Sequence, residues 1–381
     1  MTKLPRHVFF FIDSSDFGGA ERALLTLIRG LDGERWSPSL VFHPTAALQP
    51  LVDEARAASC ELIPVPAMPE GLVGAARAVS FARLLRRRRP DVFHAHLTWP
   101  LACKFGLAAA VASRIPAILA TYQLVPSFTL TRRARLQQRL LGSHVHRRVA
   151  VSEDTADQLQ ALFGWPRDKI AVVHNGVALP PPAPVDPALR AHLLREHRAV
   201  LLVPARLDPL KGHEFLLQAA ASLDGVQVVL AGDGPERSRL ERLAAELVLT
   251  GRVTFLGFRE DMPRLLACAD VVVLPSLREG LPLALLEAMA AGTPVVATAI
   301  GGTIEAVEDE VTGLLVPPCD AAALAAAVER VLADPVGARR RADAGAERVA
   351  SLFTADRMVE SVEALYESLL ADRSRRAASR A

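Results

Sequence analysis

The sequence predicts an α/β protein made of two tandem Rossmann-like, doubly wound domains facing each other across a cleft. Three observations predict it. Short apolar runs alternate with longer amphipathic stretches, the alternation is interrupted once by a proline-dense segment, and it then begins again. A chain of 381 residues, 51 % of them apolar, can build two full cores.

In the first half the strand candidates are residues 7–12, 39–43, 61–65, 91–95, 117–121, 148–151 and 170–173. Helical patterns fill the gaps, as at 20–31 and 99–112. Residues 177–186 are proline-rich and aperiodic, so 177–198 reads as a linker between a first domain, 1–176, and a second, 199–352. The second alternation has strands at 200–204, 226–231, 252–256, 270–274, 294–298 and 313–316. Helices are expected between them at 214–223, 235–249 and 283–291, and three more close the chain near 321–332, 337–352 and 355–370. The tail 372–381 is basic and polar and reads as disordered.

The bulk numbers narrow the function classes. Cys60, Cys103, Cys268 and Cys319 form no C-x-x-C pair and read as free buried thiols of a reducing compartment. The first apolar run is too short for a signal peptide, and none is long enough to span a bilayer, so the expected location is cytoplasmic. The net charge of +2 hides an asymmetry: residues 1–175 carry +8, the remainder −6. Residues 71–148 alone hold 14 basic side chains and one acidic. That field attracts anionic partners to the first domain.

Ligands of doubly wound sheets bind outside the carboxyl ends of the strands, so chemistry is sought in the loops that follow them. In the second domain the first such loop is Ala205-Arg206-Leu207-Asp208-Pro209-Leu210-Lys211-Gly212-His213. Two cations five residues apart, with a glycine at a helix start, suit a diphosphate; an ordinary loop with two surface cations is the plain alternative. Lys211 is one of only four lysines in the chain. Gly232-Asp233-Gly234-Pro235 fits a strand-to-helix turn and is weak evidence alone. The run from Ser276 to Pro294 carries the strongest signal. Pro282 stands at a helix start, with Gly280 and Leu281 before it, so backbone N–H groups point at whatever lies there. Glu279 precedes the helix and Glu287 lies within it, flanked by apolar residues. Two carboxylates so spaced could hold hydroxyls at the two ends of a nucleotide sugar, whereas a capping Glu with one buried Glu would be the structural reading.

In the first domain Gly18 and Gly19 follow the first strand, where paired glycines let backbone approach a phosphate or sugar, and Glu21 sits in the first helical turn. His94 and His96 share a strand face by their spacing and are candidate acceptor contacts, or loop histidines satisfied by the fold. Asn175, the only asparagine, precedes a glycine and reads as a hinge turn.

Taken together, Glu279-Gly280-Leu281-Pro282-Leu283 with Glu287 seven residues after Glu279, Arg206 with Lys211-Gly212-His213, Asn175-Gly176-Val177, and Gly18-Gly19-Ala20-Glu21 resemble the family 4 glycosyltransferases over nearly the whole chain. The resemblance implies the two-domain GT-B fold, with a C-terminal helix over 353–371 packing back on the first domain. It implies transfer with retention of configuration, without a metal or resident cofactor, from a nucleotide diphosphate sugar of the UDP or GDP type. By that resemblance Arg206 and Lys211 hold the diphosphate, Glu279 contacts the sugar, Glu287 the ribose, and Phe258 and Arg259 lie beside the base; Glu279, Arg206 and Lys211 are the catalytic candidates. The absence of any Asp-x-Asp agrees with a metal-free site. The chain departs from the family after the fifth strand. There Thr121-Tyr122-Gln123 stands where a Thr-x-His is common, and Gln123 can bond a sugar hydroxyl but carries no titratable proton. The expected partners are the donor, a hydroxyl acceptor such as a lipid-linked glycan, and the inner membrane face touched peripherally by the arginine-rich helices; nucleic acid is not expected. A nucleotide-sugar epimerase and a catalytically weak sugar-nucleotide-binding protein are the rival readings. A dinucleotide oxidoreductase lacks its G-x-G-x-x-G.

Overall fold

The computed structural model describes residues 4–125, 130–179, 181 and 183–378. The chain divides into two compact units, one of residues 1–176 with 355–381 and one of residues 177–354.

Unit 1 holds seven strands among its described residues: β1 (Arg6–Ile12), β2 (Trp36–Phe42), β3 (Glu61–Pro64), β4 (Val92–Leu97), β5 (Ala117–Tyr122), β6 (Arg147–Ala150) and β7 (Ile170–Val172). They form one parallel sheet in the order β3-β2-β1-β4-β5-β6-β7. Its helices are α1 (Gly19–Gly30), α2 (Gln49–Ala57), α3 (Leu72–Arg88), α4 (Lys104–Ala112), α5 (Arg132–Ser143) and α6 (Glu153–Phe163). Strands buried on both faces need two helical layers. Phe81, Leu85, Leu107, Leu159 and Phe163 pack α3, α4 and α6 on one face, around Phe9, Phe11 and Phe93. Leu24, Leu27, Leu51 and Val52 pack α1 and α2 on the other, around Val8, Phe10 and Leu40.

Unit 2 repeats the plan with β8 (Ala199–Val203), β9 (Val226–Leu230), β10 (Val253–Phe255), β11 (Val271–Leu274), β12 (Val295–Thr298) and β13 (Leu314–Val316). Their order is β10-β9-β8-β11-β12-β13, again all parallel. The helices are α7 (Pro187–Leu194), α8 (His213–Ser222), α9 (Arg237–Glu246), α10 (Met262–Ala267), α11 (Leu283–Ala290), α12 (Thr303–Ala306), α13 (Ala321–Ala333) and α14 (Pro335–Leu352). Each expected strand is present, within a few residues of its expected ends. The segment 177–198 is more than a linker. Val177 donates its N–H to the Phe353 carbonyl (2.9 Å), and α7 starts on the Asp186 cap, whose carboxylate accepts the N–H groups of Ala188 and Leu189. Pro180 and Pro182 lie outside the described residues.

The last helix, α15 (Ala355–Ala378), returns to unit 1. Met358, Val362 and Tyr366, spaced by four, enter the core beside α1, and Val359 crosses α1 at Gly30, where a Cβ would come within 2.5 Å of it. The buried Glu363 accepts from the Asp32 N–H (2.9 Å) and from Arg35 (2.8 Å). The helix runs to Ala378, so residues 372–378 are helical where a disordered tail was expected; residues 379–381 lie outside the described residues. The cysteines are free, but Cys319 is exposed where burial was expected.

Candidate functional site

Each sheet reverses its direction of growth once, between β1 and β4 in unit 1 and between β8 and β11 in unit 2. At such a switch point the loops leaving two neighbouring strands diverge to opposite faces and open a crevice at the carboxyl edge. In unit 2 those loops are 204–212 and 275–282, the two richest in the expected site residues.

The sequence builds this edge from backbone. Leu207, fully buried, anchors the Arg206 loop and exchanges hydrogen bonds with the turn after β9: its N–H donates to the Asp233 carbonyl and its carbonyl accepts from Glu236 (both 3.0 Å). Asp208 caps a single turn over Pro209–Lys211, and Gly212 ends it in the left-handed region at φ +61°. A Cβ there would come within 2.1 Å of the Pro275 carbonyl oxygen, so only glycine lets the two loops meet. Leu277 donates to the Leu210 carbonyl at 2.7 Å and joins them. Gly232 and Gly234 lie equally close to the Ala205 and Leu207 carbonyls, with 2.0 and 2.3 Å to a hypothetical Cβ. Their contribution is to loop packing.

On this frame Lys211 Nζ lies 2.6 Å from Glu279 Oε1, which also accepts the Ser276 hydroxyl at 2.7 Å. Two expected site residues 68 positions apart are thus brought together, with Glu279 nearly buried and Lys211 partly exposed. Arg206, close before Lys211 in the same loop, is exposed. Gly280 is buried, its carbonyl accepting from Gly302 (2.9 Å), and Leu281 is buried just before α11. Pro282 caps α11, and Glu287 lies on that helix's half-buried face, one turn on from Ala284. After the edge strand β10, the Phe258 ring is 52 % exposed, while Arg259 is held by a two-pronged pair with Asp261 (2.7 and 2.6 Å). His213, which opens α8, is buried with neither ring nitrogen hydrogen-bonded. Burial, assisted by the Lys211 charge, holds its pKa down at about 4.

Unit 1 treats its candidates differently. Gly18 and Gly19 lie at the start of α1 with open space where a Cβ would stand on Gly19, so a ligand has room there. Glu21 folds back to accept the Gly18 N–H (2.9 Å) and is buried. Burial raises its pKa against the opposing hydrogen bonds from Ser14 and Gly18. His94 and His96 lie within β4 and are buried, not at a loop edge. His94 is satisfied by the Tyr366 hydroxyl of α15 and the Thr121 hydroxyl of β5, both at 2.7 Å. Burial holds it neutral, and it holds His96, whose ring nitrogens have no partner, at a pKa of about 3. Gln123 is locked in a reciprocal amide pair with Asn175, whose Nδ2 donates to Gln123 Oε1 at 2.9 Å. Neither Asn175 nor Gly176 has positive φ, so the expected hinge turn is a tie inside unit 1.

Sequence reasoning missed Asp13 and His43, one residue past β1 and β2. His43 Nε2 lies 3.0 Å from Asp13 Oδ1. Burial lowers the His43 pKa, but the hydrogen bonds to Asp13 and the Val65 carbonyl outweigh it and leave it raised. Both stand directly after a strand, the one signal that could have found them.

The family described as Glycosyl transferases group 1 matches residues 186–349, and Glycosyltransferase Family 4 matches residues 17–179. The chain belongs to the family 4 glycosyltransferases. The D-inositol 3-phosphate glycosyltransferases of Mycobacterium bovis and Mycobacterium tuberculosis are 38 % identical to it over 245 residues, which is 60 % of this chain and 51 % of theirs. The match thus spans about half the length of those relatives. Among solved structures, a glycosyltransferase from Rickettsia africae has a TM-score of 0.84 at 20 % identity, covering 96 % of this chain and 99 % of its own. The Anabaena protein HepE in complex with UDP and glucose has a TM-score of 0.82 at 22 % identity, covering 95 % of this chain and all of its own. These likenesses establish the GT-B architecture for this family 4 member.

Proposed function

We propose that the protein transfers a sugar from a nucleotide diphosphate sugar to a hydroxyl acceptor, with retention of configuration and without a metal ion. The observation that carries the reading is the Lys211–Glu279 pair at the carboxyl edge of the β8/β11 switch point. In the free protein the Lys211 ammonium neutralises Glu279. A diphosphate brings two competing negative charges, drawing Lys211 and Arg206 to itself and releasing Glu279 to accept from a sugar hydroxyl. As the bond to the sugar breaks, charge grows on the departing diphosphate and the same two cations stabilise it, already in place. Phe258 offers an exposed ring to the base and Glu287 a carboxylate to the ribose. A solved relative bound to UDP and glucose makes UDP sugars the first donors to try.

Mass spectrometry of the chain incubated with a panel of UDP and GDP sugars, with and without membrane lipid extract, should show one donor consumed only when an acceptor is present. The product anomer, read by NMR, should match the donor, and excess EDTA should leave the rate unchanged. Turnover of a donor into its epimer without acceptor would establish the epimerase reading instead. A strict magnesium requirement would overturn metal independence.

The acceptor we propose is presented at an anionic membrane surface. In support, α3 carries Arg83, Arg86, Arg87 and Arg88 in its last turns, with Leu72, Val73 and Val79 exposed earlier on the helix. On α5, Arg132, Arg133 and Arg135 accompany the exposed Leu136 and Leu140. Each such arginine contributes roughly 1 kcal/mol near an anionic surface. No helix among the described residues is long and apolar enough to cross a membrane. Co-sedimentation with anionic vesicles at low salt, lost at high salt, is the expected result; indifference to vesicles at low salt points to a soluble acceptor.

A further inference from the structure

Unit 1 contains a cavity of about 820 Å³ at the amino ends of β5, β6 and β7, closed on one side by the end of α15. This is the sheet edge opposite to Gln123, which follows β5; six residues of strand separate the two edges by about 20 Å. Four cations line it: Arg147, Arg148, Lys169 and Arg373. None forms an ion pair with a described carboxylate. The one acidic lining residue, Asp372, is paired with Arg375 at 2.5 Å.

Arg148 decides the reading. It is 3 % exposed, its guanidinium lies 4.3 Å over the Trp165 ring, and it donates to the Gly142 carbonyl, but its Nε has no partner. The Nε of Arg147 is likewise buried and unpartnered. A buried guanidinium without a carboxylate is costly and is ordinarily compensated. One wall is closely packed. Trp165 stacks on Phe163 at 4.4 Å and lies against Gly142, where a Cβ would meet the ring at 2.6 Å.

We propose that this cavity binds a small phosphate-bearing anion at a site separate from the sugar-donor site. Three guanidinium groups and one ammonium, none ion-paired with a described carboxylate, suit a multiply charged phosphate group, and the volume leaves room for an organic part against Trp165. The phosphate belongs either to a soluble compound or to a lipid headgroup.

The test is calorimetry with inorganic pyrophosphate on the full chain carrying Arg206→Ala and Lys211→Ala, which removes the donor-site cations. One-to-one binding should persist there and weaken at least tenfold when Arg147→Ala and Lys169→Ala are added. Arg147 is half-buried and Lys169 exposed, so circular dichroism should show the fold intact. No saturable binding, or binding indifferent to the second pair, overturns the proposal. Phosphatidylglycerol vesicles separate the sources. If the second pair also releases the chain from vesicles and pyrophosphate displaces it, the ligand is a headgroup; if vesicle binding is unchanged while pyrophosphate binding falls, it is a soluble phosphate. Vesicle binding that needs Arg147 and Lys169 while pyrophosphate does not bind would mean a flat charged surface and would also overturn the site.

Discussion

The two units use one plan and place their polar groups in opposite ways. In unit 2 the loops after β8, β9 and β11 are stitched together by backbone hydrogen bonds, and they hold Lys211 and Glu279 as a pair at the strand ends. In unit 1 the polar residues with the most suggestive spacing, His94 and His96, sit inside β4 and are drawn into the core. A strand in a sheet covered on both faces has no outward side, so two residues sharing a face share a buried layer. Only residues past the last hydrogen-bonded position reach the edge. Asp13 and His43 stand past it; the β4 histidines stand before it and stay in the buried layer.

The comparison is tested hardest at the loops after β8 and β11. Arg206→Ala, Lys211→Ala and Glu279→Gln should each lower kcat/KM by 10²-fold or more, on the order of 3 kcal/mol, with little change in melting temperature. Near-normal turnover by the Arg206→Ala, Lys211→Ala double variant would remove unit 2 as the seat of the chemistry.

Acid should separate the units next. His96 (pKa about 3), His94 and His213 (about 4) are all lowered by burial, so the unfolded chain binds protons that the native one refuses. For His96 and His213 that contribution is complete above the unfolded value near 6.5 and is lost as pH falls from there toward 3 to 4, at about 1.4 kcal/mol per pH unit for each of the two, and His94 acts in the same direction. His43, raised, works in the opposite sense, its stabilisation fading as pH rises through its folded value. His7 is lowered by burial as well, so unit 1 holds three of the four lowered histidines and should open first; hydrogen exchange at pH 7, 5.5 and 4.5 would show it. Protection lost first in unit 2 would contradict the burial argument.

Glycine substitutions give a smaller contrast. Gly232→Ala drives a Cβ to within 2.0 Å of the Ala205 carbonyl oxygen and should destabilise by about 1–3 kcal/mol, displacing the Arg206 loop. Gly19→Ala meets nothing within 4 Å and should change stability by less than about 0.5 kcal/mol, so any lost activity there reports ligand contact. Equal melting points for both variants would show that the loop packing does not matter. On the scale of a single contact, Tyr366→Phe removes one buried hydrogen bond to His94 and should lower stability by about 1 kcal/mol while leaving donor binding unchanged. A change in donor KM would show that His94 has more than a packing role.

The strands were legible because a parallel strand buried on both faces must be almost continuously apolar, as VVVL and VVAT are. Glu279 and Lys211 were legible as candidates because they stand in loops after strands, and Lys211 is one of only four lysines. The Gln123–Asn175 tie was not, since 52 positions separate the two amides and nothing local marks them as partners. Nor was the α15 extension, because a polar, basic run looks alike whether solvated as coil or as the outer turns of a long helix. The basic cavity was hidden for a related reason. Arg147 and Arg148 belong to a long stretch of arginines, and only the fold distinguishes a buried guanidinium from its solvated neighbours.

The return of α15 also bears on the order in which the molecule is made. During synthesis all of residues 1–176 leave the ribosome before unit 2 exists, yet the layer that Met358, Val362 and Tyr366 complete is still untranslated. Unit 1 waits, with one apolar face uncovered, through the birth of its neighbour. Premature termination between residue 176 and Tyr366 therefore damages the domain already made.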